Sequence, residues 1–377
     1  MTDLVSPYVA PGFEPVLDAF NANFEEGLEL GAGFCAILEG EVVVDLVGGH
    51  MDRAKTQNWT RETLVPVYST TKPIAAMIIA RLQDQGLLNF DDPIGWLWPE
   101  FTEHGKEVTL AQALSHQAGV PGFPDPIDPD LWLNPPALAE ALAHVAPMWE
   151  PTTASGYHPL TYGYIAGELA QRAHGTSLGT QLRVDVCEPL GIDFWIGLPE
   201  IHHGRCAEMS RPKAMAELGE ISEARRIAFM TPWASPNRGG AAWRLAEIPS
   251  ANGHGTARSV ATLYGVFANN GKIGSHQIIS PETMADFTKP RIRGLDLVLP
   301  YEIEWAAGVM RNSNLRYGRN PETLGHSGWG GSGGFGDPAK RLSAAYVMNK
   351  QTPALLGDER AGRLIQALYA CVDARSA

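Results

Sequence analysis

The stretch VYSTTKPIAAMIIARL (Val67 to Leu82) decides how this chain is read. Ser69 and Lys72 stand three apart, where a polar strand end gives way to an apolar run. The run predicts a helix from Pro73 to Gly86, with Pro73 in its first turn and Gly86 as its C-cap. A three-residue spacing puts both side chains on one helix face. The helix is apolar on several sides, so it is buried, and Lys72 lies at its root, where a free ammonium is costly. Two readings compete. In one, Ser69 caps the helix and Lys72 is a surface lysine. In the other, burial lowers the lysine pKa, and neutral Lys72 takes the proton of a nucleophilic Ser69. The helix N-terminus would favour the alkoxide, and its N–H groups could hold an oxyanion. The pattern alone leaves both open.

Context separates this pair from two look-alikes. A second Ser-x-x-Lys, SRPK at Ser210 to Lys213, has a proline before its lysine, so nothing brings Ser210 to Lys213. GGSGG (Gly330 to Gly334) satisfies Gly-x-Ser-x-Gly, but that elbow needs a strand before it and a helix after it. Here a turn and a strand follow, so Ser332 reads as a structural residue of a glycine-rich segment.

The whole chain sets wider bounds. Its 377 residues call for one large domain or two smaller ones. At 44% hydrophobic and 19% charged it is an ordinary globular sequence. A net charge of -13 argues against nucleic-acid or anionic-membrane partners, which need basic patches. The opening residues carry no basic and apolar signal regions, and no run of about 18 apolar residues appears, so a cytoplasmic protein is expected. Cys35, Cys187, Cys206 and Cys371 lack metal-type spacing and read as reduced, mostly buried thiols. The adjacent His202 and His203 point different ways and read as a loop pair. No metal or cofactor is expected.

Along the chain, Val16, Phe20, Phe24 and Leu28 have helical spacing. GAGFCAILEGEVVVDLVGGHMD reads as two strands turning at Glu39-Gly40. Further helices are expected near 110–115, 136–144, 162–174 and 259–269, and a last one over 358–371. WAAGVMRN and RLSAAYVMNK read as strands. Strands therefore lie at both ends and helices between them. Since a lone hairpin is marginal, the distant strands must share a sheet. The expected architecture is α/β. Residues 1–68 and 285–377 form a mostly antiparallel sheet domain, 69–284 form a mainly helical one, and the site lies between them. The proline-rich stretch 120–136 excludes helix and central strand and reads as a rigid loop at the rim of a site.

Two more segments bear on Ser69. SGYHPLTYGYIAGELAQR places Tyr157 just before a helix. LGHSGWGGSGGFGDPAKRLSAAYVMN is glycine-rich and leads into a hairpin. Taken in order, Ser-x-x-Lys, Tyr and His-Ser-Gly resemble the serine β-lactamase and penicillin-binding-protein superfamily, most closely its family VIII carboxylesterases. The likeness covers most of the chain. It implies a β-lactamase-like fold, with an antiparallel sheet flanked by terminal helices plus a helical domain. It also implies a nucleophile at Ser69, a proton acceptor at Lys72 and a proton-shuttling tyrosine at Tyr157. Tyr162 and Tyr164 fall inside the following helix and pack. The third motif is taken as His326-Ser327-Gly328, on an edge strand beside the nucleophile. The alternative register is Trp329-Gly330-Gly331. The backbone N–H groups of Ser69 and Trp329 would form the oxyanion hole.

The chain departs from its cell-wall and β-lactam relatives at two positions. Those families begin the third motif with lysine, which helps hold the substrate carboxylate; here His326 stands, neutral near pH 7 without a partner. They also carry an asparagine two residues after the tyrosine; here that residue is Pro159. Both changes weaken recognition of amides, so a small ester is the expected substrate, cleaved through an acyl-enzyme. The alternatives are acyl transfer or weak β-lactamase activity on the same site, or a non-catalytic binding or assembly homologue. The substrate would be met by His326, Ser327, Gly328, Trp329 and Phe123, with Trp132, Trp233 and Trp305 as further aromatic candidates for the rim. His116, His158 and His254 read as structural.

Overall fold

Strand-forming runs from the two ends of the chain meet in one sheet in the computed structural model, which describes residues 7–212, 214 and 216–375. Lys213 lies outside the described residues. The hairpin expected at Glu39-Gly40 is strands β2 (Gly31–Leu38) and β3 (Glu41–Gly49), flanked by β1 (Tyr8–Val9). The other strands are β4 (Ile292–Leu295), β5 (Glu302–Trp305), β6 (Met310–Arg311), β7 (Leu324–Ser327), β8 (Gly333–Asp337) and β9 (Leu342–Met348). Their order is β1-β3-β2-β9-β8-β7-β6-β5-β4, antiparallel throughout. Strand β7 is thus interior, between β8 and β6, and not the edge strand expected for the His326 motif. The stretch read as one strand, WAAGVMRN, holds the end of β5, a turn and the two-residue β6, and it is β6 that lies outside β7.

The centre of the sheet is buried on both faces, which is why β9 reads as one apolar run. Ala344, Tyr346 and Met348 point to one face, where they meet Phe34, Phe20, Leu364 and Leu368. The last three come from helices α1 (Glu14–Glu25) and α5 (Glu359–Arg375), which pack together there. Ala345 and Val347 point to the other face, under helix α4 (Ala257–Ala268).

The other helices fall within two residues of expectation, at Leu110–Leu114, Pro135–Ala143 and α3 (Thr161–His174). Stretch 120–136 carries one 3-10 turn, Pro129–Leu133. Residues 69–284 are not all helical. The short strand His254–Gly255 pairs with Val65–Pro66 on one side and Phe194–Trp195 on the other, and a small hairpin joins Lys272–Ile273 to His276–Gln277. Two-residue strands are too short to show a period of two in a sequence. Helix α4 comes from this stretch but lies on the sheet. Among the described residues, no helix is long and apolar enough to cross a membrane.

Candidate active site

The helix opened by Ser-Thr-Thr-Lys is α2 (Lys72–Asp84), and a 3-10 turn (Tyr68–Thr71) leads into it. It ends two residues before Gly86, which sits at φ +73° beyond the cap. Ser69 makes no capping hydrogen bond. The residue before it, Tyr68, is held at φ +49°, a left-handed conformation costly for a bulky side chain. Neighbours fix the turn. The Val67 carbonyl accepts from Ser332 Oγ (2.8 Å), and the Thr70 carbonyl accepts from Tyr264 Oη (2.9 Å). Thr71 Oγ1 donates to the Tyr68 carbonyl and accepts the Gly253 N–H. Ser332 is therefore a buried brace under the turn, followed by strand β8.

Lys72 is fully buried, and its ammonium is not a surface charge. Its Nζ lies 3.1 Å from Ser69 Oγ, 2.8 Å from the Pro159 carbonyl and 3.0 Å from the Ser250 carbonyl. Among the described residues no carboxylate is near enough to compensate it, and burial drives its pKa well below the usual lysine value. Tyr157 Oη donates to Ser69 Oγ at 2.7 Å, and Nζ sits 4.7 Å from the centre of its ring. Burial pushes the Tyr157 phenol up, so it holds its proton. Both groups are thus biased to their neutral forms. A neutral amine that gives two N–H bonds to the two carbonyls keeps its lone pair for the Ser69 hydroxyl.

Beside Ser69 lies a cavity of about 230 Å³. Tyr157, His326, Ser327 and Trp329 border it, with apolar walls from Leu160, Phe229 and Leu299. His326 is the last residue but one of strand β7. Its Nδ1 is 2.7 Å from the Ser327 carbonyl, an acceptor, so Nδ1 carries the proton and buried Nε2 is bare and unpartnered. Burial, with the nearby Lys72, lowers the His326 pKa to about 3, so it is neutral. Gly328 does not open onto the cavity. A Cβ there would stand 2.2 Å from both Ser332 Oγ and the Val67 carbonyl, so only glycine lets the turn after β7 close on the nucleophile's turn. The Gly330 carbonyl takes the Thr352 N–H (3.0 Å) and Arg360 Nη2 (3.3 Å), which pins that turn from behind. Among the described residues no backbone carbonyl accepts the Trp329 N–H.

Phe123 is a correction. Its ring packs edge-on against Trp132 at 5.6 Å, and its carbonyl accepts Trp233 Nε1, so it stands in the helical core and not on the cavity. Trp132 and Trp233 share that packing. Trp305 is buried and stacks on the Tyr157 ring at 5.9 Å. Aromatic residues in loops give no sequence signal that tells a rim from a core. His116 and His158 brace the tyrosine's loop: His158 Nε2 accepts the Val120 N–H, and His116 Nδ1 accepts the His158 N–H. His254 Nδ1 is spent on the Asn252 carbonyl.

One residue that sequence reasoning missed organises Tyr157. Buried Asp296 accepts the Tyr157 N–H on Oδ1 at 2.8 Å, and the Val298 and Leu299 N–H groups at 2.9 Å each. Its Oδ2 accepts the Ser155 hydroxyl at 3.0 Å. In GLDLVLP nothing marks that aspartate, because its partners are mostly backbone N–H groups, 139 residues away or next in line. Asp296→Ala would strand three buried N–H groups. It should cost about 3 kcal/mol or more in urea unfolding. A variant with an unchanged midpoint would show that the carboxylate does not hold the loop.

The family description Beta-lactamase matches residues 20–369. A crystal structure of a penicillin-binding-protein homologue from Caulobacter crescentus is 51% identical, with a TM-score of 0.95, over 98% of this chain and 100% of that one. The crystal structure of a family VIII carboxylesterase is 40% identical, with a TM-score of 0.91, over 98% and 100%. The curated protein Esterase/beta-lactamase LipL of Mycobacterium tuberculosis is 32% identical over 370 residues, 93% of this chain and 84% of that protein.

Proposed function

The chain belongs to the beta-lactamase family, and from that footing we propose that it is a serine carboxylesterase that hydrolyses small esters through an acyl-enzyme. The observation that carries this is the Lys72–Ser69–Tyr157 chain of short contacts opening on a small apolar cavity. The solved family VIII carboxylesterase supports an ester substrate, and the curated relative's name couples esterase with β-lactamase.

Neutral Lys72 takes the Ser69 proton as Oγ attacks the ester carbonyl. The carbonyl oxygen becomes an oxyanion against the N–H groups of Ser69 and Trp329. The bond to the alcohol then breaks. Tyr157 gives its phenolic proton to the departing alkoxide and recovers one from Lys72, which leaves the acyl group on Ser69. Water enters where the alcohol left and gives a proton to the Tyr157–Lys72 pair. Its oxygen forms the new bond to the acyl carbon, the bond to Oγ breaks, and Ser69 regains its proton. Neutral His326 brings no charge to hold a β-lactam carboxylate. Pro159 offers only a carbonyl, already taken by Lys72, where an amide side chain would otherwise be met.

The test sets p-nitrophenyl acetate and longer acyl homologues beside a chromogenic cephalosporin. Ester kcat/KM should exceed that for the cephalosporin by orders of magnitude and fall as a neutral acyl chain outgrows the cavity. Comparable rates on the two classes would overturn the assignment.

A further inference from the structure

The cavity beside Ser69 does not end at its apolar walls. Tyr68, Ser235, Arg238 and Trp329 also line an adjoining, more polar annex of about 650 Å³. Three arginines border this annex: Arg211, Arg238 and Arg244. Among the described residues none of them is paired with a carboxylate, whereas most of the chain's other arginines are. Glu208, the acid that lines the annex, is taken up by Arg53, through Nε at 3.5 Å and the backbone N–H at 3.1 Å. His254 is buried and neutral there and adds no charge of either sign. A chain of net charge -13 thus carries an uncompensated positive patch next to its nucleophile.

Arg238 is the innermost of the three. Its guanidinium carbon lies 5.9 Å from the centre of the Tyr68 ring, and Tyr68 directly precedes Ser69. Burial and the like charge of Arg211 bear against its charge, opposed by the Tyr68 ring alone. Cations gathered in a partly enclosed site without a counter-ion are costly, and an anionic ligand relieves that cost.

The annex also has a side. It shares Trp329, on which the oxyanion would form, and Tyr68, but not Tyr157, which would protonate the leaving alcohol. Arg211 and Arg244 line the annex and not the cavity, so an arm that runs past Arg238 toward them leads away from Tyr157 and comes from the acyl half of the ester. We propose that the substrate is a half-ester of a dicarboxylic acid, with its free carboxylate held by Arg238 and the alkyl alcohol in the apolar cavity. This inference rests on the esterase reading above.

The experiment compares monomethyl succinate, glutarate and adipate with their dimethyl esters, alongside p-nitrophenyl acetate. For one chain length at least, kcat/KM should favour the half-ester. In Arg238→Gln the half-ester to diester ratio should fall by roughly 10- to 100-fold, the worth of a charged hydrogen bond. Arg238→Lys should keep part of the preference, and added salt should erode it in the wild type. Thermal unfolding of each variant checks that the fold is kept; because the readout is a ratio on one protein, loss of folded material does not move it. Diester turnover with no half-ester advantage, or a ratio that Arg238→Gln leaves unchanged, overturns the carboxylate subsite alone. So does cleavage of p-nitrophenyl acetate with no turnover of any methyl ester. Failure on p-nitrophenyl acetate as well overturns the esterase reading beneath it.

Discussion

Ser69→Ala is expected to remove ester turnover, by about 10⁴-fold or more, the scale on which nucleophile deletions fall in serine hydrolases. The hydroxyl caps no helix end and gives all its contacts to Lys72 and Tyr157, so the variant should fold and unfold as the parent does. Two other serines serve as controls. Ser210 is tied through its backbone to Asn349 and Gln351 and does not line the cavity beside Ser69, so Ser210→Ala should stay active. Ser332 has its hydroxyl committed to the Val67 carbonyl and shared with Thr70. A phosphonate inhibitor should add its mass to the peptide that carries Ser69. The same mass on the Ser332 peptide would sink the assignment.

The second large effect concerns Lys72 and Tyr157 taken together. Lys72→Ala and Tyr157→Phe should each cost on the order of 10⁴-fold in kcat, and the double variant should be little worse than the poorer single one. Both touch the same oxygen, and one proton passes between them in the proposed cycle, so removing either breaks the same relay. Multiplying penalties would mean two independent routes. The pH profile follows from the directions of the shifts. Lys72 must be neutral to act, and burial lowers its pKa, so kcat/KM should rise with pH along one limb whose midpoint lies below the ordinary lysine value of about 10.4. Burial raises Tyr157, so no falling limb from its ionisation should appear below about 10. Since the two groups are in contact, the limb belongs to the pair and not to either residue. His326, His158 and His254 are all held neutral and should leave no mark between pH 5 and 8. Near-parental activity in Tyr157→Phe would mean the proton takes another path.

Much of this site could be read before the fold was seen, because its side chains are the signal. Ser69 and Lys72 are fixed to each other by helical spacing, and the structure brings Tyr157 to them from 88 residues away. What could not be read is carried by the backbone. Lys72 is held by the carbonyls of Pro159 and Ser250, and a carbonyl leaves no trace in residue type. Asp296 works through N–H groups, so its role is invisible in an apolar stretch. Phe123 was misassigned because a loop aromatic has the same identity whether it lines a cleft or fills a core. Sheet position failed in the same way. The interior place of β7 depends on which strand β6 pairs with, and residue type shows that a segment is a strand without showing its neighbour. The arginines of the annex are scattered over residues 211–244 and become a group only in three dimensions.

The pairing of β2 with β9 joins residues 31–38 to residues 342–348, across almost the whole chain. During synthesis the first hairpin and the helices that follow emerge without the strands that complete their sheet. Helix α4 has no finished floor to lie on, and β2 keeps an open edge until residues 342–348 leave the ribosome. Loop closure over some 300 residues is slow relative to local helix formation. Folding of this sheet is therefore a late event, and its most vulnerable moment comes just before residues 342–348 emerge.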